Sequence, residues 1–329
     1  MGMVRWGIVA TGGIARKFAE ACAFESKRSG KSVLSAVASR NSAKAAAFAS
    51  EWGIPASYGS YEALFADPKI DAVYIATPHN LHAELSIAAL KAGKAVLCEK
   101  PVSVQAKDFY PVIETARAEK RFFMEAMWTK FNPSFLKALE WANAGRIGKM
   151  KFLRADFCLD APYDPASRLY DPRLGGGAIL DVGIYPITCA LMFAGKRPPE
   201  SFSSYMKRLD TGVDVYDKFL FSYPGGVEMD LSCSIALSGL EALRSAVIVG
   251  DKGSIALPYF WMAQQVTWFD AEGNARETHS APFDCNGYEY EIREVESCLA
   301  AGKTESAIQT WADSIMVMEL MDALRAAAV

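Results

Sequence analysis

Short apolar runs alternate with helical patterns through the first 120 residues, and this rhythm is the strongest constraint on the fold. The runs have the length of buried strands, and the segments between them repeat apolar side chains every three or four residues. The predicted strands are Val4–Ala10, Val33–Ser39, Ala72–Ala76, Ala95–Cys98 and Phe122–Met124, and the predicted helices cover 14–22, 41–52, 81–92 and 106–119. Because strands that alternate with helices form right-handed βαβ units, we predict an α/β fold with a doubly wound parallel sheet.

The pattern changes after Gly145, where β-branched and aromatic residues gather in runs joined by turn signals such as Pro224-Gly225-Gly226. The predicted strands are Lys149–Phe157, Ser203–Leu209, Tyr216–Tyr223, Val227–Ile235, Ala246–Val249 and Val266–Phe269, and the predicted helices are Pro133–Ala144, Gly177–Phe193, Tyr288–Ala300 and Ala307–Ala326. Runs connected by tight turns favour antiparallel pairing. The second part is therefore predicted to be α+β, with a large, mostly antiparallel open sheet.

A chain of 329 residues is longer than one hydrophobic core usually supports, so we expect two domains. The alternation of predicted strands and helices changes near Glu125. This predicts a dinucleotide-binding domain over 1–124 and a second domain over 125–329. We expect the last helix to be able to pack back toward the first domain.

The composition excludes several classes of protein. The net charge is −3 with no basic block, which argues against a nucleic-acid partner. We found no uninterrupted apolar run of the ~18 residues that a membrane span needs, and no signal peptide. The seven cysteines are scattered, with no C-x-x-C pair, as expected of reduced thiols. We therefore expect a cytoplasmic protein.

The first strand leads into the sequence Ala10-Thr11-Gly12-Gly13-Ile14-Ala15. Its spacing is that of the Rossmann dinucleotide fingerprint, with Ala10 in place of the first glycine. Gly12, Gly13 and Ile14 would bring backbone amides of the next helix close to a pyrophosphate. A plain strand-to-helix turn is the alternative.

The second strand ends at Ser39-Arg40, where an enzyme that prefers NAD usually has an acidic residue. A hydroxyl and a guanidinium there favour the 2′-phosphate of NADP. If Arg40 is only a solvated surface charge, NAD remains the alternative cofactor.

Two polar motifs follow later strands, at the edge where open α/β sheets bind ligands. Glu99-Lys100-Pro101 ends the fourth strand, and Pro101 would hold Lys100 in a defined direction. The other motif follows the third strand, and its candidate cofactor-binding residues are Thr77, Pro78, His79, Asn80 and His82. We expect no metal site, because the remaining histidine, His279, has no ligand pattern around it.

Asp181 and Tyr185 are four residues apart in the predicted helix that follows Gly175-Gly176-Gly177. Residues at this spacing share one face of a helix, so both side chains could reach one cleft. The alternative is that Tyr185 packs in the core and Asp181 is solvated.

These motifs together resemble the Gfo/Idh/MocA family of oxidoreductases. The segments Tyr58–Glu62, Val96–Pro101, Glu125–Phe131 and Gly175–Tyr185 are most similar to its dihydrodiol dehydrogenase and bacterial NADP-dependent sugar dehydrogenase branches. The resemblance implies that Lys100 lies beside the nicotinamide, that its bond to Pro101 is often cis, and that Asp181 and Tyr185 contact the substrate.

The resemblance also implies that Trp128 and Phe157 form apolar walls of the substrate site, although core packing would explain them too. Relatives pair two open sheets across a twofold axis, so we expect a homodimer, with a tetramer as the alternative. The expected function is NAD(P)-dependent hydride transfer to or from a sugar, polyol or trans-dihydrodiol. The alternatives are a non-catalytic NAD(P)-binding sensor and an NAD-dependent enzyme that cleaves glycosides.

Overall fold

The computed structural model describes residues 2–237 and 241–329. The chain divides into two compact units, each built from two stretches of sequence. The first unit comprises Met1–Trp128 and Phe283–Ile315, and the second comprises Thr129–Pro282 and Met316–Val329.

A six-stranded parallel sheet forms the centre of the first unit, with strand order β3-β2-β1-β4-β5-β6. Its strands are β1 (Val4–Val9), β2 (Ser32–Ala38), β3 (Ala56–Tyr58), β4 (Ala72–Ile75), β5 (Ala95–Glu99) and β6 (Phe123–Ala126), and its helices are α1 (Gly13–Ser29), α2 (Ser42–Trp52), α3 (Tyr61–Phe65), α4 (His82–Lys91) and α5 (Ala106–Ala118). The strand order reverses between β1 and β4, where doubly wound sheets bind ligands. The predicted α/β fold is confirmed.

The second unit is built on an eight-stranded sheet with the order β14-β13-β12-β11-β7-β10-β9-β8. Its elements are α6 (Pro133–Asn143), β7 (Met150–Cys158), α7 (Ile184–Phe193), β8 (Ser201–Arg208), β9 (Asp214–Tyr223), β10 (Val227–Ser234), β11 (Ser245–Gly250), β12 (Gly253–Pro258), β13 (Gln265–Asp270) and β14 (Ala275–Ser280). Of its neighbouring strands, β7 and β10 run parallel and the others antiparallel. The predicted mostly antiparallel sheet is confirmed.

One helical stretch of the described residues, Pro172–Phe193, is long and apolar enough to cross a membrane, with a mean hydropathy of 1.5. However, 83% of this stretch is buried inside the fold. Burial of this kind is expected of the central helix of a globular unit, because such a helix is apolar all round.

The segment 283–315 belongs to the first unit, which differs from the predicted division at 124/125. Its helix α8 (Glu289–Ala300) packs against α1. The next helix, α9 (Trp311–Ala327), begins with an indole that donates a hydrogen bond of 2.9 Å to the carbonyl of Phe123 in β6. Periodicity along the chain reveals a helix but not its packing partner, so only the last helix was expected to be able to return, and the return of α8 was not predicted.

The sequence patterns missed four short elements: β3, α3, β12 and β14. β14 is the edge strand of its sheet, and its residues are polar or small and mostly exposed, so it has no apolar alternation to detect. The last predicted helix also begins later than expected, at Trp311 rather than Ala307.

Candidate active site

The candidate cofactor residues of the first unit lie in loops that follow β1, β2, β4 and β5, which are neighbours in the sheet. Backbone hydrogen bonds continue the sheet into these loops, from the amide of Ala10 to the carbonyl of Ala38 and from that of Ala76 to the carbonyl of Val9. Because the strands are parallel, the loops meet at one edge. The sheet therefore brings together motifs that are up to 90 residues apart in sequence.

The turn after β1 has the geometry that the fingerprint requires. Ala10 has φ +87°, a left-handed conformation that glycine adopts without strain. Gly12 precedes α1 in an extended conformation, with no side-chain hydrogen bond to the first-turn amides. A Cβ built on Gly12 or Gly13 meets no atom within 4 Å, so this helix end is accessible to a pyrophosphate.

Ser39 and Arg40 follow β2, on one side of the glycine turn. The Ser39 hydroxyl oxygen accepts a hydrogen bond of 3.2 Å from the Asn41 amide, and Arg40 is exposed. Burial raises the pKa of the Tyr61 phenol, and the positive charge of the nearby Arg40 opposes this rise. An exposed guanidinium at this position can bind a phosphate group.

Thr77, which follows β4, is 7% exposed, and its hydroxyl has no hydrogen-bond partner among the residues that the structure describes. Buried hydroxyls normally have a partner, so this atom is suited to receive one from a bound cofactor. Together with the open end of α1, it shows that the residues present fit a dinucleotide.

His82 is completely buried, and its two ring nitrogens lie 2.7 Å from the carbonyl oxygen of Pro101 and 2.8 Å from that of Thr77. The imidazole thus joins the loop after β4 to the loop after β5. Both ring nitrogens therefore contact backbone carbonyls, and a direct contact of His82 with the cofactor stays a prediction.

His79 and Asn80 line a cavity of about 600 Å³ on the first unit, together with Ser103 and Lys107 near the start of α5. His79 is 7% exposed, and its ring lies edge-on to that of His82 at 5.7 Å. The neighbouring Pro78 precedes the short helical turn that holds both residues.

Glu99 and Lys100 end β5, and the peptide bond between Lys100 and Pro101 is cis, as the family resemblance implies. The Glu99 carboxylate accepts hydrogen bonds from the buried Tyr74 hydroxyl and, at 3.2 Å, from the Lys100 amide. Lys100 itself is half-buried. The backbone of Lys100 is thus held by a carboxylate that is anchored in the core.

Asp181 lies in a π-helical turn, Ile179–Gly183, that leads directly into α7. The Ile184 amide bonds to the carbonyl of Ile179, five residues earlier. Pro186 explains this widening, because it has no N–H and its ring would clash with the carbonyl four residues before it. Such turns occur frequently at functional sites.

The Asp181 carboxylate is nearly buried and accepts a hydrogen bond of 2.8 Å from Arg168. Arg168 lies in the loop after β7, and sequence analysis missed it because one arginine in a polar loop carries no signal. Its guanidinium, half exposed, can hold the carboxylate in one direction.

Tyr185 belongs to an aromatic cluster of the second unit. Its ring centroid lies 5.4 Å from that of Phe157, which stacks on Trp261 at 3.6 Å with an interplanar angle of 7°. Trp261 was missed, although the run Tyr259-Phe260-Trp261 marks an aromatic site after β12. Phe157, Tyr185 and Trp261 are each between 7% and 8% exposed, so their edges form an apolar wall.

Trp128 ends the main stretch of the first unit and packs against Phe283 at 6.1 Å and Tyr288 at 5.0 Å between ring centroids. A Cβ on Gly287 would lie 2.8 Å from the indole ring, so this glycine permits the packing. The indole N–H is buried without a partner among the described residues, a polar group that a ligand could satisfy.

Comparison with known proteins agrees with this architecture. Residues 4–127 match the model of the Gfo/Idh/MocA oxidoreductase family with an NAD-binding Rossmann fold, and residues 135–256 match the Gfo/Idh/MocA C-terminal domain. A trans-1,2-dihydrobenzene-1,2-diol dehydrogenase from Mus musculus is 35% identical over 332 residues, covering 98% of this chain and 96% of that protein. The Homo sapiens enzyme is 34% identical with the same coverage.

Solved structures share the fold. A 3-ketoreductase from Actinomadura kijaniata, in complex with NADP and TDP-benzene, has a TM-score of 0.87 at 24% identity and covers 99% of this chain and 98% of its own. An aldose-aldose oxidoreductase from Caulobacter crescentus has a TM-score of 0.86 at 22% identity, with coverage of 99% and 97%. With both domain models matched in order, this chain belongs to the Gfo/Idh/MocA family of NAD(P)-dependent oxidoreductases.

Proposed function

We propose that this protein oxidises a CH–OH group of a vicinal diol, in a trans-dihydrodiol or a sugar, and reduces NADP. The observation that carries the proposal is the placement of Lys100 at the carboxyl edge of the sheet, the edge that also holds the uncapped start of α1 and the Thr77 hydroxyl, which has no partner among the described residues. A cofactor bound along this edge would meet the lysine at its reactive end.

NADP is the proposed cofactor, because the turn after β2 offers Ser39 and the exposed Arg40 and no carboxylate. The amides at Gly12, Gly13 and Ile14 would hold the pyrophosphate. Thr77, with its neighbours Pro78 and Asn80, would border the nicotinamide half. When bound, the nicotinamide accepts the hydride.

Three side chains would act on the substrate. Tyr185 would act as the base: as a phenolate, a form that the positive charge of Lys100 would favour, it would take the proton of the reacting hydroxyl and become a neutral phenol. Asp181, directed by Arg168, accepts a hydrogen bond from the second hydroxyl of the diol. The carbinol would become a carbonyl by giving its proton to Tyr185 and its hydride to the cofactor.

The aromatic wall supports a ring-shaped substrate. The stacked pair Phe157–Trp261 offers a flat apolar surface beside Tyr185. In the first unit, the Trp128 indole N–H has no partner among the described residues and is a further donor that a substrate could engage. Such a surface suits the unsaturated ring of a dihydrodiol or the apolar face of a sugar. The relatives named as dihydrobenzene diol dehydrogenases make the dihydrodiol the first substrate to test.

The test is to measure NAD(P)H formation with NADP and with NAD against a trans-dihydrodiol, aldoses and polyols. We expect Lys100→Met and Tyr185→Phe each to lower kcat by at least about 100-fold, the scale of general acid–base catalysis. Tyr205→Phe is the matched control, because Tyr205 is an exposed phenol of the same unit. Cofactor binding without turnover would instead favour the sensor, and sugar release without net cofactor reduction would favour glycoside cleavage.

We also propose a cytoplasmic homodimer formed through the outer face of the eight-stranded sheet. Phe152, Leu220 and Tyr205 lie on that face by strand register and are 36%, 46% and 48% exposed. These apolar side chains lie among charged ones of the same face, such as Lys218 and Asp230, and a face of this mixed kind can be covered by a second copy of the chain. The seven unpaired cysteines suit a reducing compartment. Light scattering of the protein and of Leu220→Glu tests the assembly, since a monomer in both would contradict it.

A further inference from the structure

Two buried aspartates of β9, Asp214 and Asp217, face the helix that carries Asp181. They are 7% and 0% exposed. Residues three apart in a regular strand point to opposite faces, but the register with β8 shifts here: Asp217 pairs with Met206, whereas Asp214 pairs with Arg208. The extra residue in β9 is a β-bulge, which turns Asp214 to the same side as Asp217.

Asp214 holds the start of the π-helical turn. Its Oδ2 accepts a hydrogen bond of 2.7 Å from the Ile179 amide, 35 residues away in sequence. Gly177 has φ +132°, and a Cβ there would lie 2.4 Å from Asp214 Oδ1. The carboxylate therefore fits closely against the turn and caps an amide that the helix itself leaves without a partner.

Asp217 lies near Asp214 and reaches the other end of the turn through Cys233. The Cys233 thiol donates a hydrogen bond of 3.3 Å to Asp217 Oδ2, whereas Asp217 Oδ1 is buried without a partner among the described residues, close enough to Asp214 for the two carboxyl groups to interact. A Cβ on Gly183 would lie 2.8 Å from the same sulfur. One buried network thus touches both Ile179 and Gly183, the first and last residues of the π-helical turn.

Two neighbouring buried carboxyl groups repel each other unless one of them holds a proton, which can then bridge them. Asp217 is the protonated partner, because Asp214 already accepts from an amide and Asp217 is completely buried. Burial first, and then the charge of Asp214, raise the pKa of Asp217 to about 9.

We propose that Asp214 and Asp217 are positioning residues that hold the π-helical turn and thereby direct Asp181 and Tyr185 toward the substrate. Neither touches the reacting atoms. The assignment of Asp181 and Tyr185 rests on the proposed function, whereas the control of the turn itself does not.

The charged and titratable groups that face Asp217 are few. They are Asp214 on its own strand, Arg208 of β8, Cys233 of β10 and, around Cys233, Cys158 of β7. From the helix side, the contacts described are a backbone amide and glycines. When Asp217 loses its proton, its negative charge repels that of Asp214, with no proton between them. The hydrogen bond by which Asp214 holds the π-helical turn should then weaken.

The test compares Asp217→Asn with Asp217→Ala. Asparagine donates an N–H to Asp214 as the protonated acid does, and it does not titrate, whereas alanine removes the donor. We expect Asp217→Asn to keep kcat within about twofold, and Asp217→Ala to lower kcat by about 10- to 100-fold with an unchanged KM for the cofactor. Asp210→Asn, an exposed aspartate of the adjoining turn, is the control.

Amide hydrogen exchange over residues 177–185 gives a readout that needs no substrate and also shows whether each variant is folded. Protection of this segment should be lost in Asp217→Ala, kept in Asp217→Asn, and lost in the natural protein as the pH rises above about 9. Equal protection in all three proteins would overturn the proposal, as would an Asp217→Asn variant as impaired as Asp217→Ala. If no substrate turns over but the exchange pattern holds, the proposed function fails and the control of the turn stands.

Discussion

Replacing Glu291 by glutamine should remove a pH dependence from the stability of the first unit. Glu291 lies in α8, is 0% exposed, and neither of its carboxyl oxygens has a hydrogen-bond partner among the described residues. Burial first, and then the charges of Glu99 and Glu289, raise its pKa well above the ordinary value for a glutamate. The folded protein therefore keeps a proton on Glu291 at pH values where an unfolded glutamate has lost it.

The magnitude follows from linkage. An unfolded glutamate titrates near pH ~4.3, so above that pH the folded state binds one proton more than the unfolded state. The stabilisation is complete below the unfolded pKa and is lost as the pH rises toward the folded pKa. The free energy of unfolding should fall by about 1.4 kcal/mol per pH unit from about pH 5 upward, until the pH approaches the folded pKa.

Urea unfolding of the natural protein and of Glu291→Gln across this pH range measures the effect. The buried amide adds a constant penalty of about 1–3 kcal/mol, but it cannot titrate, so only the slope is diagnostic. Glu289→Gln is the matched control: the Glu289 carboxylate accepts hydrogen bonds from the amides of Cys285, Asn286 and Gly287. Glu289→Gln should lower the free energy of unfolding but keep its slope against pH. Parallel curves of this free energy against pH for Glu291→Gln and the natural protein would refute the reasoning.

Three further changes test the backbone and a surface pair. Ala10→Gly should raise the melting temperature slightly or leave it unchanged, because relief of the left-handed strain, about 1–2 kcal/mol, is partly offset by the greater entropy of unfolded glycine. Gly176→Ala should lower stability by about 1–3 kcal/mol in chemical unfolding, since its Cβ would lie 2.7 Å from the Leu169 carbonyl oxygen; unchanged stability would contradict this. Burial by itself raises the pKa of Asp71. The hydrogen bonds from the Arg5 side chain and amide outweigh burial and bring this pKa below its ordinary value. The stabilisation from this pair is present above the pKa of the unfolded Asp71 and is lost as the pH falls. The melting temperature of Asp71→Asn should therefore fall less steeply toward acidic pH than that of the natural protein.

The sequence by itself determined the class of the fold and the edge of the sheet where chemistry takes place. Apolar runs alternating with helical patterns specify βαβ units because each pattern describes which face of a local element is buried. The ends of these runs placed the glycine turn, Thr77 and Lys100 at carboxyl ends of strands, and the structure brings those ends together. Such features are local, so periodicity and motif spacing suffice to predict them.

Only the tertiary structure decided how distant segments meet. The return of α8 to the first unit, the stacking of Trp261 on Phe157 and the pairing of Arg168 with Asp181 all join residues that no local pattern relates. The widened turn at Asp181 likewise depends on Asp214, a residue brought into place by a bulge in a strand that comes later in the chain. These contacts arise because packing selects partners by shape and by the satisfaction of buried polar groups, and neither property can be read from the order of residues along the chain.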